Sequence, residues 1–263
     1  MLENPDRQLV RRLLEQDVLA NVVTLKMLTS YGSSMALRLE QRETEWALLS
    51  LLPTAVSDWD RKAYPDTKYI AFVDGNSEAL KLKALAAFPR EPVVVKTGDP
   101  FVKKVLKGIP GALKTTSYLS FTTEDTTSNA GSTSLSAHVE YDEAAWKFFG
   151  KNGYESDELS RYFANGACWF GVRANQGLVA ACFVYENYNP VWEIAGVYTD
   201  EATRRQGLAK LVVTAALQHL RSAGLKPRYQ VKWDNQASIA VARSCGLTEF
   251  LEVDHYRLKA NPE

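Results

Sequence analysis

The sequence predicts an α/β (α+β) protein in two lobes, and three observations carry that prediction. Strand and helix signals alternate along both halves of the 263 residues. Between the halves, Thr122 to Ser134 is almost wholly Thr, Ser, Gly, Asn and acid, the composition of a loop or linker. In the second half a hydrophobic strand ends in a polar, Gly-containing turn that opens a long amphipathic helix. The expected division is a lobe over 1–122, a linker or loop over 123–134, and a second domain over 135–263.

In chain order, Leu9, Leu13, Leu14, Val18, Val22 and Leu25 fall at helical spacing, so Arg7 to Thr29 reads as one amphipathic helix, with room for a break. Ser34–Leu39 and Trp46–Leu52 read as strands joined by the polar run Gln41–Thr44. Tyr69–Val73 is a strand stopped by Asp74-Gly75-Asn76, followed by a helix from Ser77 to Phe88 and a β-branched strand at Pro92–Lys96. Asp99-Pro100 then opens a short helix, the acid as N-cap and the proline in the first turn. Beyond the linker, Asp142–Gly150 and Glu155–Asn165 read as helices parted by Asn152-Gly153. Strands follow at 167–173, 178–185 and 191–198, a helix at 207–223, a strand at 228–233, a helix at 237–245 and a last strand at 249–258.

Composition narrows the function classes. Lys+Arg and Asp+Glu both number 31, so no net charge draws the chain to nucleic acid or to an anionic membrane. No apolar run approaches the roughly 20 residues a membrane span needs, and the charged opening residues leave no room for a signal-peptide core; a cytoplasmic protein is expected. Cys168, Cys182 and Cys245 have no metal-ligand spacing, so no metal is expected. Cys168 and Cys182 flank a hairpin turn at Asn175-Gln176-Gly177 and are read as two buried thiols in preference to a bridge.

The stretch that carries chemistry is Ile194-Ala-Gly-Val-Tyr-Thr199, Asp200-Glu-Ala-Thr203, Arg204-Arg-Gln-Gly-Leu-Ala209. The first turn of a helix presents unpaired N–H groups and the positive end of its dipole. Gly207 lets the backbone approach an anion with no side chain in the way, and Arg204 and Arg205 add charge. The residues alone therefore describe an anion-binding helix N-terminus after a strand.

Arg204-x-x-Gly207-x-Ala209 resembles the acyl-CoA signature of the GNAT acyltransferase superfamily, and Trp233-Asp-Asn235-Gln-Ala-Ser238 leading to Gly246-Leu247 resembles its second block. Gly196-Val-Tyr-Thr199 is similar to the strand end of the branch related to glycine N-acyltransferases. The resemblance covers about Ala167 to Leu258. It implies a GNAT fold with a mixed, mostly antiparallel, splayed sheet in the C-terminal half, preceded by an α/β lobe readable as a degenerate GNAT-like half.

The resemblance also implies roles. Acetyl-CoA or another acyl-CoA is the cosubstrate, its pyrophosphate held by Arg204, Arg205, Gln206, Gly207, Leu208 and Ala209. Val197, Tyr198 and Thr199 line its arm, and the Val197 N–H polarises the thioester carbonyl. Asn235 and Ser238 lie near the cofactor, with an ordinary N-cap as the plain alternative for Asn235. Glu193, on the same strand, is the first candidate for the general base, weighed evenly against an ordinary strand residue. The position seven residues after Asn235, often a Tyr in the superfamily, is Ala242 and cannot donate a proton; Tyr198, Ser238, Cys245 or water is left for that role. The acceptor is a small-molecule or peptide amine, with monomer and homodimer both open. A non-catalytic CoA-binding or regulatory protein on the same fold is the rival reading.

Overall fold

The structure is a computed structural model and describes residues 5–124, 134–174 and 177–259. Residues 125–133 of the expected linker, and Asn175 and Gln176 of the expected hairpin turn, lie outside the described residues. The chain forms α1 (Arg7–Leu14), α2 (Val18–Tyr31), β1 (Ala36–Arg42), β2 (Glu45–Pro53), α3 (Asp58–Ala63), β3 (Tyr69–Gly75), α4 (Glu78–Ala86), β4 (Val93–Thr97), α5 (Pro100–Gly108) and β5 (Leu113–Thr122). It continues as α6 (Glu143–Gly150), α7 (Ser156–Ala164), β6 (Cys168–Ala174), β7 (Gly177–Tyr188), β8 (Val191–Thr199), α8 (Leu208–Ser222), β9 (Lys226–Lys232), α9 (Gln236–Ser244) and β10 (Thr248–Leu258). Among the described residues no helix is long and apolar enough to cross a membrane.

Two compact units result, residues 1–118 with 251–263, and residues 119–250. The division falls at Tyr118/Leu119 and not at 122. The terminal strand, expected to stay with everything from 135 onward, is assigned from Leu251 to the first unit. Sequence pattern alone misses this because β10 alternates like any half-buried strand and carries no sign of its partner. Its partner is β4, antiparallel, with Asp254 opposite Thr97 and Leu258 opposite Val93.

In the first unit β1, β2 and β3 run antiparallel to one another, and β3 pairs with β4 in parallel. Leu49, Leu51, Ala71, Val73, Val93 and Val95 turn one face of these strands toward Leu80 and Ala84 of α4 and Val102 and Leu106 of α5. The alternate residues Leu48, Leu52, Ile70 and Val94 are buried as well. Strands covered on both faces read as the continuous apolar runs the sequence shows. The expected break in the first helix is real: a 3-10 turn at Glu15–Asp17 separates α1 from α2, whose first turn Asp17 caps.

In the second unit β6, β7 and β8 are antiparallel and β9 joins β8 in parallel. Val212, Val213, Ala216 and Leu220 of α8 and Ile239 and Ala242 of α9 pack on Cys182, Val184 and Ile194. On the other face, Trp146, Phe148 and Phe149 of α6 and Leu159 of α7 pack on Ala181, Phe183 and Ala195. All three cysteines are buried free thiols. Cys182 lies opposite Phe170 and Cys168 opposite Val184, so the two are not facing partners as the turn suggested.

The two halves of the chain thus follow the same order of two helices, three antiparallel strands, a helix, a parallel strand, a helix and a strand; α3 is an addition to the first.

Candidate active site

The site begins where two parallel strands separate. β8 and β9 pair only at Val191/Lys226, Trp192/Pro227 and Glu193/Arg228, and from Ile194 onward β8 has no partner in β9. Beyond the split, the N–H of Gln230 is taken up by the Glu193 Oε1 at 2.8 Å. Glu193 Oε2 accepts from Arg228 Nη1 and from Asn187 Nδ2, both at 2.6 Å, and Arg228 Nη2 reaches the Ser120 hydroxyl at 3.0 Å. The expectation that Glu193 is the general base is therefore corrected. Its carboxylate is buried, 5% exposed, and both oxygens are engaged in holding the two strands apart. Removing one member of such a pair leaves an uncompensated buried charge, which costs about 3–5 kcal/mol.

A bulge follows at once. Ala181 pairs with Tyr198 and Phe183 with Ala195, so Gly196 and Val197 together face the single residue Cys182. Gly196 has φ +61°, and a Cβ there would lie 2.5 Å from the Phe183 ring. Only glycine fits the conformation and the space. The bulge swings Val197 out of register with β7, in the part of β8 that has no partner in β9. Half-buried Tyr154 hydrogen-bonds the Gly196 backbone, and desolvation of its hydroxyl, with the charges of Glu193 and Glu158, holds it far above the ordinary range.

The strand then leads into the turn. Tyr198 packs edge-on against Phe148 and carries the Arg204 guanidinium 5.9 Å from its ring centre; Thr199 O accepts from Arg204 Nε at 3.3 Å. After a 3-10 turn at Glu201–Thr203, Arg205 and Gly207 take left-handed conformations at φ +65° and +78°. A non-glycine residue in that region is uncommon and marks a local constraint. Gly207 is the N-cap of α8, so no side chain caps that helix, and its first turn holds no acid. The N–H groups of Leu208 and Ala209 open the helix without a capping side chain, directly after Arg204, Arg205 and Gln206 in the chain, an arrangement that suits a diphosphate.

Opposite, Asn235 is the N-cap of α9, its Oδ1 accepting the Ser238 N–H at 3.1 Å. The oxygen is committed to the helix. Ala242 is fully buried in the core beneath α9. The residue sequence reading missed is Tyr229, the first residue of β9 beyond the split. Burial raises its hydroxyl well above the ordinary range, and Ser238 hydrogen-bonds it. The signal was present: an aromatic with a hydroxyl at the alternation position facing α9 needs a buried polar partner.

Splayed parallel strands, a glycine bulge and an uncapped helix N-terminus occur here in one continuous run. Residues 138–247 match the model of the acetyltransferase (GNAT) family. Solved structures share the fold over nearly the whole chain. A GNAT-family acetyltransferase from Colwellia psychrerythraea is 13% identical, with 98% of each chain covered and a TM-score of 0.65. A tandem GNAT protein from the clavulanic acid biosynthesis pathway is 14% identical, covering 100% of this chain and 98% of its own, with a TM-score of 0.60. A GCN5-related N-acetyltransferase from Kribbella flavida is 18% identical over 90% of this chain and 94% of its own, with a TM-score of 0.56. No curated protein sequence matches. The fold is that of GNAT proteins, tandem ones included, and the family match supports acyl-CoA-dependent acetyl transfer as the class of chemistry. Among the described residues no group of His, Cys, Asp and Glu could hold a metal ion.

Proposed function

We propose that this protein is an acetyl-CoA-dependent N-acetyltransferase that acts on a primary amine of a small molecule or peptide, by direct transfer with both substrates bound. The observation that carries this reading is the uninterrupted run from the β8/β9 split through the Gly196 bulge to the Gly207 N-terminus of α8. One strand end then serves both ends of the donor. The α8 N–H groups with Arg205 hold the diphosphate, and the unpaired end of β8 lies along the arm. The likeness of Gly196–Thr199 to the glycine N-acyltransferase branch supports a small acceptor over a protein one.

In the reaction the amine nitrogen attacks the thioester carbonyl carbon, the Val197 N–H stabilises the oxyanion, and the C–S bond breaks. The departing thiolate takes a proton from Tyr229, which Ser238 orients, and the tyrosinate regains one from the proton that the adduct nitrogen sheds as the amide forms. With Glu193 engaged by Arg228, the carboxylate left facing Tyr154 is Glu158, whose Oε1 accepts from the Tyr162 hydroxyl at 3.0 Å. Glu158 is the candidate to receive the ammonium proton.

A CoA-binding protein without turnover is the second reading, favoured by the buried Ala242 and the locked Glu193. Calorimetric titration with acetyl-CoA and release of free thiol with an amine panel separate the two. Binding with amine-dependent thiol release supports the transferase, and binding without it supports the second reading. A wild-type protein that binds no acetyl-CoA overturns both.

A further inference from the structure

The first unit contains a cavity of about 360 Å3, lined by residues of α1, α2, β2, β3, β4 and β10. Its size is within the roughly 300–1,000 Å3 of small-molecule sites. It lies where β3 and β4 cease to pair, beyond Ala71/Val95, with Phe72 to Asn76 on one side and Lys96 to Pro100 on the other. Three carboxylates line it, Asp17, Asp74 and Asp99, against one lysine, Lys96.

The partners of these groups separate them sharply. Lys96 Nζ lies 2.6 Å from Asp60 Oδ1 and 4.8 Å over the Trp59 ring, so its charge is matched. Asp17 caps α2, and Asp99 caps α5 and pairs with Lys81. Asp74 has one hydrogen bond among the described residues, from the Thr24 hydroxyl at 2.9 Å, and no ion pair. Beside it Trp46, 4% exposed, lines the same cavity, and its indole N–H has no acceptor among the described residues. A carboxylate without a counter-charge and a donor without an acceptor thus share one hollow, whose remaining wall includes Leu13, Val23, Phe72, Leu251 and Val253.

We propose that this cavity is a binding site for a small aliphatic amine, whose ammonium pairs with Asp74 and whose carbon skeleton rests on Trp46 and Phe72. The site goes beyond the transferase reading and does not depend on it. No diphosphate site accompanies it, since β3 passes to α4 through Asn76 and Ser77 alone and α4 opens with Glu78. The cavity therefore binds without a donor of its own, as a sensing or holding site. Burial raises the Asp74 carboxyl to about 7, with Asp99 adding to the shift and the Thr24 hydroxyl and Lys81 reducing it. Asp17 on α2 and Lys96 on β4 are the other charges facing the cavity. Affinity for an ammonium therefore rises as pH rises through about 7, because only the ionised carboxylate offers the pair.

The test is calorimetric titration of the full chain with putrescine, with butyrate as the sign control and no CoA present. Putrescine binds the wild type, and Asp74→Asn weakens it at least about tenfold, the loss expected for one charge-assisted contact. Ala20→Trp, at an exposed cavity-lining position that leaves the core intact, abolishes binding and decides the matter if Asp74→Asn fails to fold. Gly207→Glu leaves it unchanged. Absence of putrescine binding, binding indifferent to both cavity variants, or butyrate binding in its place overturns the proposal.

Discussion

The two units begin from the same plan and differ at one turn. In each, a strand of the antiparallel set pairs in parallel with the next for three residue pairs and then departs from it. In the second unit the strand reaches the following helix through eight residues, 200–207, ending on left-handed Gly207 with no capping side chain. In the first unit two residues make the passage, Asn76 bonds back to the Trp46 N–H and the Thr44 carbonyl, and Glu78 occupies the first helical turn. A helix N-terminus that is uncapped and flanked by arginine attracts an anion; one with an acid in its first turn does not. The contrast teaches that two similar splits between parallel strands differ in charge through the turn that follows each.

The largest effect that would sharpen this comparison is expected at the split itself. Glu193→Gln should destabilise the protein by about 3–5 kcal/mol, because Arg228 is left buried and uncompensated. Denaturant unfolding measures it. A variant of wild-type stability that had lost the basic role from its pH–rate profile would restore Glu193 as the base. Next, Gly207→Glu should weaken acetyl-CoA binding by about a hundredfold, close to 3 kcal/mol, through charge at the diphosphate and a β-carbon at positive φ. Gly207→Asn, which tolerates that φ and adds no charge, should stay within a few fold. Equal loss in both would show that the turn's shape and not its charge selects the ligand.

A smaller loss of about 1–3 kcal/mol is expected for Gly196→Ala, from overpacking against Phe183, with added strain at φ +61°. Thermal unfolding reports it, and an unchanged midpoint would show that Phe183 yields. Tyr229→Phe should lower kcat by about tenfold or more with little change in acetyl-CoA affinity, the pattern of a lost proton donor. A change confined to affinity would assign the hydroxyl to packing.

The mildest prediction concerns pH and the first unit. Burial and the nearby Lys96 lower His255 to about 3, so the folded state stays neutral while the unfolded chain protonates at its ordinary 6.5. Stability from this group is lost as pH falls from 6.5 toward 3. Asp74 runs the other way: raised from 3.8 to about 7, it loses its contribution as pH rises through that window. Near pH 5 the two slopes oppose, so wild-type stability should be nearly flat there. In Asp74→Asn it should fall by about 1.4 kcal/mol for each unit of acidification, read from denaturant midpoints. A flat profile in the variant would mean that His255 is not the group that is kept neutral.

Much of the fold was legible in the sequence. The helix at 207–223, the strands at 69–73 and 191–198 and the break in the first helix follow from apolar period and turn residues alone. β5 was missed because Leu113 to Thr122 alternates mostly Thr and Ser with a few apolar residues, a polar surface that becomes core only through Ser117, Ser120 and Phe121. The turn before α8 was readable because its left-handed backbone leaves its mark as glycine. Glu193 was misread for the opposite reason. A carboxylate looks alike in sequence whether water or Arg228 faces it, and only the strand pairing thirty-five positions away distinguishes them.

The strand order has a consequence for synthesis on the ribosome. Val93 to Thr97 are translated well before the partner they need, Asp254 to Leu258. The first unit is thus left open until residues 251–258 are made, after the whole of 119–250. A chain stalled before residue 251 would display the bare edge of β4 to its neighbours, an invitation to aggregate that β10 withdraws.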